Sequence, residues 1–240
     1  GGIYESLQYA GMRYPNCMND ARTVVGWPSS KTQPSRVVYA DGTGRYLKGN
    51  ANFPSSHAVS VTNSGLAAGA VLYDNLDYNT RATIWDANTG DIKTIIPPTG
   101  TTYWQSWFEA INEQGDGVGY FGDSMLYPGG IPFVYKSGVI TKLAEYTAVA
   151  DINDEGAYIG NNFSGPFINL GGQDIQLGVG NLYTIPERVN NRNEVIGQVR
   201  NGDASKGYFY WRNGESAEFT TLFEGLPSNA RITSVYDIND

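Results

Sequence analysis

The stretch Ile152-Asn153-Asp154-Glu155-Gly156-Ala157-Tyr158-Ile159-Gly160 contains the phrase that decides the fold. Its pattern is an apolar residue, Asn, an acid or Asn, any residue, Gly, three residues and a second Gly. Asn and Asp side chains bond to nearby backbone amides, and Gly adopts the left-handed conformation that tight turns need. The phrase therefore predicts a hairpin turn that joins two β-strands.

The same phrase recurs along the whole chain. Copies begin near residues 18, 61, 111, 152 and 189, and a partial sixth begins at 238, so successive starts lie 37 to 50 residues apart. Arg22 and Asn193 replace one motif glycine each, in the first and fifth copies. A period of this length is typical of propeller blades, whereas a coiled coil would repeat every seven residues.

A second phrase follows each copy of the first. It consists of an aromatic or β-branched run, a polar turn and another apolar strand, as in Tyr208-Phe209-Tyr210-Trp211-Arg212-Asn213-Gly214. The turn predicts a second hairpin, so each repeat supplies four antiparallel strands. The copies of this phrase are found at 37–42, 82–90, 132–138, 166–172 and 208–214.

A lone four-stranded sheet of this kind cannot bury both faces, but sheets stacked around an axis cover one another. The repeats therefore predict an all-β fold, a β-propeller with five blades, in one domain spanning residues 1–240. The tail Ile232–Ile238 resembles a further first strand. It leaves three alternatives: an extra strand on a five-bladed ring, a sixth blade shared with Ile3–Leu7, or a natural chain that continues past Asp240.

The two-phrase pattern resembles the bacterial extracellular HAF repeats, named for the residues that often begin the third strand. The resemblance covers nearly the whole chain, although Pro-Phe, Tyr-Phe or Ala-Thr stands where that family tends to have His-Ala-Phe. It implies a propeller that is secreted or located at the bacterial cell surface. It implies little about biochemical activity.

Composition excludes several classes of function. Lys and Arg total 16 against 24 Asp and Glu, and the net charge of -8 would repel nucleic acid. The absence of an apolar run of 18 residues predicts no membrane insertion. One cysteine, Cys17, and one histidine, His57, exclude an internal disulfide and a His/Cys zinc cluster within one chain. We expect Cys17 to be a half-buried thiol and His57 to be a surface or strand-start residue.

Aromatic residues in three loops are the candidate binding residues. In the segment 97–108, the five residues 103–107 hold three aromatics beside Gln, Ser and Thr, which suits the stacking and hydrogen bonding of sugar rings. Trp107 and Phe108 have the alternative of packing in the core as the start of a strand. The loops 73–79 and 123–131 should lie on the same face, between second and third strands. The predicted binding residues are Tyr103, Trp104, Trp107, Tyr73, Tyr78 and Tyr127.

Acidic and Asn residues recur once per repeat, and we interpret them as caps of the turn backbone. The alternative is a ring of oxygen ligands for Ca²⁺ at one mouth of the channel. The turn Asp86–Asp91 has part of a calcium-loop pattern but lacks its terminal bidentate acid. We therefore predict no metal site and no cofactor. The recurring residues are Asn19, Asp20, Asn112, Glu113, Asn153, Asp154, Asn190 and Asn191.

The sequence predicts a secreted or surface module that binds a glycan or a protein through one loop-rich face, without catalysis. No Gly-x-Ser-x-Gly phrase accompanies His57, and no phosphate-binding or dinucleotide-binding motif is present. Two alternatives remain. One is a propeller glycoside hydrolase or polysaccharide lyase using carboxylates such as Glu109, Glu113 and Asp116. The other is a structural subunit of a surface fibre or a phage-tail-like assembly.

Overall fold

The computed structural model describes residues 12–28, 33–50, 54–72, 79–97, 105–122, 130–178, 183–201, 204–223 and 232–239. The chain divides into two compact units, residues 1–142 and residues 143–240. Each is described by itself below.

Unit 1 contains three four-stranded antiparallel sheets, each with its strands in chain order. Sheet A consists of β1 (Met12–Met18), β2 (Val24–Pro28), β3 (Arg36–Val38) and β4 (Gly44–Tyr46). Sheet B consists of β5 (Ser56–Val61), β6 (Leu66–Leu72), β7 (Thr80–Asp86) and β8 (Ile92–Ile96). Sheet C consists of β9 (Gln105–Ile111), β10 (Gly117–Gly122), β11 (Ile131–Lys136) and β12 (Val139–Lys142).

Unit 2 contains two more sheets of the same kind. Sheet D consists of β13 (Tyr146–Ile152), β14 (Tyr158–Asn162), β15 (Gly165–Leu170) and β16 (Gln173–Gln176). Sheet E consists of β17 (Tyr183–Val189), β18 (Val195–Asn201), β19 (Ala204–Arg212) and β20 (Glu215–Glu218), followed by a 3-10 turn at Phe219–Leu222. The five sheets confirm the predicted all-β class and its propeller blades. A single domain over the whole chain stays a prediction.

Apolar side chains from successive sheets of a unit pack into shared clusters. Trp85 of sheet B is fully buried with Val25 and Val37 of sheet A, and Phe108, Phe121 and Phe133 of sheet C pack with Ile84 and Ile96 of sheet B. In unit 2, Ile159 and Ile168 of sheet D pack against Phe209 and Trp211 of sheet E. Each sheet therefore covers a face of its neighbour, which is the burial that a blade needs.

The repeat phrase forms the predicted hairpin between the first and second strands. Its first glycine position has a left-handed backbone in every copy, with φ of 84°, 82° and 75° at Gly65, Gly115 and Gly156. Arg22 and Asn193, which replace the glycine in the other two copies, have φ of 59° and 60°. The turn thus imposes its conformation even where the residue is not glycine.

The second residue of the phrase, which is asparagine in four of the five copies, holds this turn and bonds to the next repeat. In the fourth copy, Asn153 Oδ1 accepts the backbone N–H of Ala157 at 2.9 Å, and its Nδ2 donates to the Asn190 carbonyl at 2.8 Å. In unit 1, Asn19 Nδ2 donates to the Thr62 carbonyl at 2.8 Å. These observations support the interpretation of the recurring asparagines as backbone caps, and they add a bond between neighbouring repeats.

The next residue of the phrase pairs across the same junction. Asn63 donates to Asp20 at 2.8 Å and accepts the Asp20 backbone N–H at 2.9 Å. Asn191 and Asp154 exchange the same two bonds at 2.8 and 2.9 Å. The side chains considered above as a calcium ring therefore bind each other and the backbone.

The second glycine of the phrase lies beside a β-bulge in the first strand. Gly119 pairs with Phe108 and Val118 with Ala110, which leaves Glu109 as the extra residue of the bulge. A Cβ at Gly119 would lie 2.1 Å from the Trp107 carbonyl, and corresponding clashes of 1.9 to 2.2 Å occur in the other four repeats. Glycine is required here because the bulged strand approaches its neighbour closely.

The tail at 232–239 differs from the predicted first strand, because it forms no sheet with other described residues. The tail nevertheless accepts the same kind of hydrogen bond, from an asparagine amide of the preceding repeat phrase to a backbone carbonyl. Asn190 Nδ2 donates to the Asn239 carbonyl at 3.1 Å, and the Tyr208 hydroxyl donates to the Thr233 carbonyl at 3.2 Å.

A left-handed conformation is unfavourable for a residue with a Cβ, so we expect Arg22→Gly to stabilise the protein. The gain should be about 0.5–1 kcal/mol, after allowing for the greater freedom of glycine in the unfolded chain. Unfolding in urea, followed by a signal from unit 1, measures the change in the free energy of unfolding. Arg22→Ala is the matched control, since it removes the side chain but keeps the Cβ. Equal stability changes for Gly and Ala would contradict this explanation.

Asp151 is a carboxyl group between β13 and β17. It accepts backbone N–H bonds from Val189 at 3.0 Å and Ile152 at 2.9 Å. Desolvation raises the pKa of Asp151 to about 6, although Arg188 and the two amides oppose this shift; the charge of Asp237 adds to it. The folded state therefore binds this proton more tightly than the unfolded chain does.

The stabilising contribution of protonated Asp151 should be complete below about pH 4 and lost as the pH rises through about 6. We expect the stability of Asp151→Asn relative to wild type to increase by about 2 kcal/mol between about pH 4.5 and 7.5. Thermal melts of both proteins across this range test the prediction. A difference that stays constant with pH would show that Asp151 does not titrate in this way.

Candidate functional site

The structure describes one of the six predicted binding residues. Trp107 is in β9, is only 7% exposed, and stacks on Tyr120 with ring centroids 5.4 Å apart. Its neighbour Phe108 is fully buried. Tyr73, Tyr78, Tyr103, Trp104 and Tyr127 lie outside the described residues, so their role stays a prediction.

Trp107 borders a cavity of about 190 Å³ in unit 1, which we call the aromatic pocket. The first strands of sheets B and C and the second strands of sheets A and B supply its walls. The lining residues are Trp27, His57, Val59, Gly69, Ala70, Trp107, Phe108 and Glu109.

Two aromatic pairs give the pocket flat apolar surfaces. Trp27 and His57 stack with centroids 4.7 Å apart and an interplanar angle of 24°, and both are half-buried. Trp107 is held against Tyr120 of the adjacent strand, its register partner in sheet C. Packing on both pairs fixes the ring orientations before any ligand arrives, and such preorganisation lowers the entropic cost of binding.

Glu109 supplies the carboxylate of the aromatic pocket. The Trp107 indole Nε1 donates to Glu109 Oε1 at 2.7 Å. Glu109 is also the bulge residue of β9, as Val59 is in β5, where Ala58 pairs with Gly69 and Ser60 with Ala68. A bulge turns a side chain away from the regular alternation of a strand, so the repeat geometry itself presents these two residues to the pocket.

The candidate binding loops attach at one end of the strands, and the pocket lies toward that end. His57 is the second residue of β5 and Trp107 is the third residue of β9. The loops 73–78 and 123–129 join second to third strands, and 98–104 leads into β9, as the sequence predicted. Because neighbouring strands are antiparallel, all three loops attach at the sheet ends opposite the turns that the repeat phrase forms.

The other acids of the predicted cluster are separated from Glu109. Glu113 accepts the Ser64 backbone N–H at 2.7 Å, and Asp116 accepts the Ser137 backbone N–H at 2.8 Å. Both therefore act as caps at the turn end of sheet C. In the turn Asp86–Asp91, Asp86 likewise caps Asn88 and Thr89. In the described ranges, no group of three or more His, Cys, Asp or Glu is arranged to hold a metal ion.

A second cavity, of about 320 Å³, is found in unit 2. Asp174 is its central group and accepts hydrogen bonds from the Tyr146 hydroxyl at 3.0 Å, Asn162 Nδ2 at 3.0 Å and Asn169 Nδ2 at 2.8 Å. Desolvation, together with the bond to Asp174, raises the pKa of Tyr146. Phe163 at the rim is 80% exposed. This cavity is polar and lacks the stacked ring pairs of the aromatic pocket.

Sequence reasoning did not single out Trp27 or combine His57 with Glu109. A usable signal was present, because His57 and Trp107 both lie four residues before their repeat phrases, and Val59 and Glu109 both lie two before. Reading equivalent positions across the repeats would have grouped these four side chains. Cys17 is half-buried in β1, as expected.

No helix in the described part of the chain has the length and hydropathy needed to cross a membrane.

The chain matches no protein-family model and no curated protein sequence. Among solved structures, it is similar to dipeptidyl peptidase 4 of Porphyromonas gingivalis, at 10% identity and a TM-score of 0.47 over 86% of this chain. It spans only 38% of that peptidase. It is also similar to the β-propeller domain of the Trilobed protease from Pyrococcus furiosus, described as having an open velcro topology, at 10% identity and a TM-score of 0.42. That match covers 87% of this chain and 83% of the domain.

Proposed function

We propose that the protein is a non-catalytic binding module that takes a saccharide in the aromatic pocket. The observation that carries the proposal is the stacked Trp27–His57 pair beside Trp107, with the Glu109 carboxylate bonded to the indole. Aromatic faces pack against the C–H faces of a sugar, while nearby polar groups bond to its hydroxyls. The loops that carry Tyr73, Tyr103, Trp104 and Tyr127 would extend the same surface.

The size of the pocket favours recognition of a single ring. Sites for drug-sized ligands enclose roughly 300–1,000 Å³. The aromatic pocket, at about 190 Å³, is smaller. We therefore infer that one sugar unit enters it, and that neighbouring units of a longer glycan would contact the loops.

The carboxylates favour binding over cleavage. Glycoside hydrolysis generally needs two carboxyl groups about 5–9 Å apart that flank one bond. Among the described residues that line the aromatic pocket, Glu109 is the only one with a carboxylate, and Glu113 and Asp116 cap backbone amides at the turn end of the sheet. In the aromatic pocket, glycoside hydrolysis would need a second carboxylate from residues outside the described ranges.

We also propose that the module works at the bacterial cell surface or outside the cell. The support is the two-phrase repeat that resembles the HAF family. A role as a structural subunit of a surface assembly has no specific contact in its favour. The aromatic pocket favours a small ligand instead.

The proposal predicts that Trp27→Ala lowers the affinity for a bound saccharide about tenfold or more, because it removes one stacking surface and frees His57. A glycan array selects the ligand, and calorimetry measures the affinity. Phe163→Ala is the matched control, since it removes an exposed ring in unit 2. Failure of the wild-type protein to bind any saccharide, or full affinity in Trp27→Ala, would refute the proposal. Release of reducing ends from a bound glycan would replace it with the enzymatic alternative.

Trp104→Ala tests the contribution of the loop in the same assay. We expect loss of glycan binding, because this side chain is predicted to stack on a sugar. If Trp104→Ala keeps its affinity while Trp27→Ala loses it, glycan binding is assigned to the aromatic pocket. The predicted role of Trp104 in binding would then be refuted.

A further inference from the structure

We propose that the aromatic pocket selects sugars that carry an acetamido group, the N-acetylhexosamines, over the corresponding plain hexoses. This inference rests on the proposed function and names the class of sugar that the same pocket would take. It depends on the apolar side chains of Val59 and Ala70, which both line the pocket.

The two bulges beside the pocket present side chains of opposite character. Glu109 in β9 and Val59 in β5 are the extra residues of equivalent bulges, and both line the pocket. The same position of the repeat therefore supplies a carboxyl group from one strand and an isopropyl group from the other. A ligand that suits both needs polar atoms on one side and an apolar group on another.

The strand next to Val59 adds no polar side chain to the pocket. In β6, Gly69 pairs with Ala58 and Ala70 pairs with His57, and both β6 residues line the pocket. Gly69 cannot be replaced by a larger residue, since a Cβ there would lie 1.9 Å from the His57 carbonyl oxygen. A sugar hydroxyl directed at these side chains would lose its bound water without gaining a hydrogen bond from them, which is unfavourable.

An acetamido group matches the side chains that β5 presents. His57 and Val59 lie two residues apart on this strand and both line the pocket, so an imidazole and an isopropyl group follow one another along it. An acetamido group likewise combines an amide, which donates and accepts hydrogen bonds, with a terminal methyl group. An imidazole ring can serve as donor or acceptor for the amide. Burial of the methyl group against Val59 adds a hydrophobic contribution that a hydroxyl at the same place lacks.

The experiment compares sugars that differ only at this substituent. The probes are the methyl glycosides of glucose and N-acetylglucosamine, and of galactose and N-acetylgalactosamine, titrated by NMR or calorimetry into the full chain. For at least one pair, we expect wild type to bind the acetamido sugar about fivefold or more tightly than the hexose. Burial of one methyl group and the avoidance of an unpartnered hydroxyl together give an effect of this size.

Val59→Thr tests the apolar side chain itself. Threonine has nearly the shape of valine but carries a hydroxyl in place of one methyl group, so the ratio of the two affinities should fall about fivefold. Val139→Thr is the matched control, because it makes the same change in β12 at a valine that is 64% exposed and does not line the pocket. The ratio in this control should stay at the wild-type value.

Three results would overturn this inference: equal or weaker binding of both acetamido sugars by wild type, a ratio that Val59→Thr leaves unchanged, or absence of binding by all four probes. The proposed function survives each of them if a saccharide from the glycan array binds and Trp27→Ala weakens that binding. If no saccharide binds, or if Trp27→Ala keeps full affinity, the proposed function is refuted and this inference falls with it.

Discussion

The hydrogen bond from an asparagine amide to the carbonyl of the next repeat is the interaction on which the rest of the structure depends. One side chain makes both connections: its oxygen closes the turn of its own repeat, and its nitrogen reaches the neighbour. Asn153 and Asn190 do this in unit 2, and Asn19 does so in unit 1. The asparagine side chain can make both bonds because its amide carries a donor and an acceptor.

This junction helps to set the positions of the side chains on the first strand of each sheet. It fixes the turn, the turn fixes the register of the first strand, and the register places a bulge opposite the second glycine of each phrase. In sheet C, the bulge residue is Glu109, and in sheet B it is Val59. The aromatic pocket is therefore a product of the repeat geometry, which places His57 and Trp107 at one equivalent position and Val59 and Glu109 at another.

The repeat phrase allowed the fold class, the four strands per repeat and the positions of the long loops to be predicted from the sequence. It did so because each turn needs particular residues, such as a left-handed glycine or a capping asparagine, at fixed intervals.

The pocket was harder to predict. Trp27 meets His57 only because sheets A and B pack together, and such a contact leaves no local pattern. The bulge that turns Glu109 inward depends on strand register, which spacing alone does not reveal. The predicted first strand in the tail was wrong for residues 232–239, which form no sheet with the described residues, although Asn190 donates to the Asn239 carbonyl.

The most direct test of this account is the unfolding free energy of Asn153→Ala. The substitution removes the donor to the Asn190 carbonyl, which keeps its bond from the Asn193 N–H, and it leaves the Ala157 backbone N–H without its acceptor. The account predicts a loss of about 2–4 kcal/mol by denaturant unfolding, against less than about 1 kcal/mol for Asp154→Ala in the same turn. A loss at Asn153 no larger than that at Asp154 would contradict the claim that this amide joins the repeats.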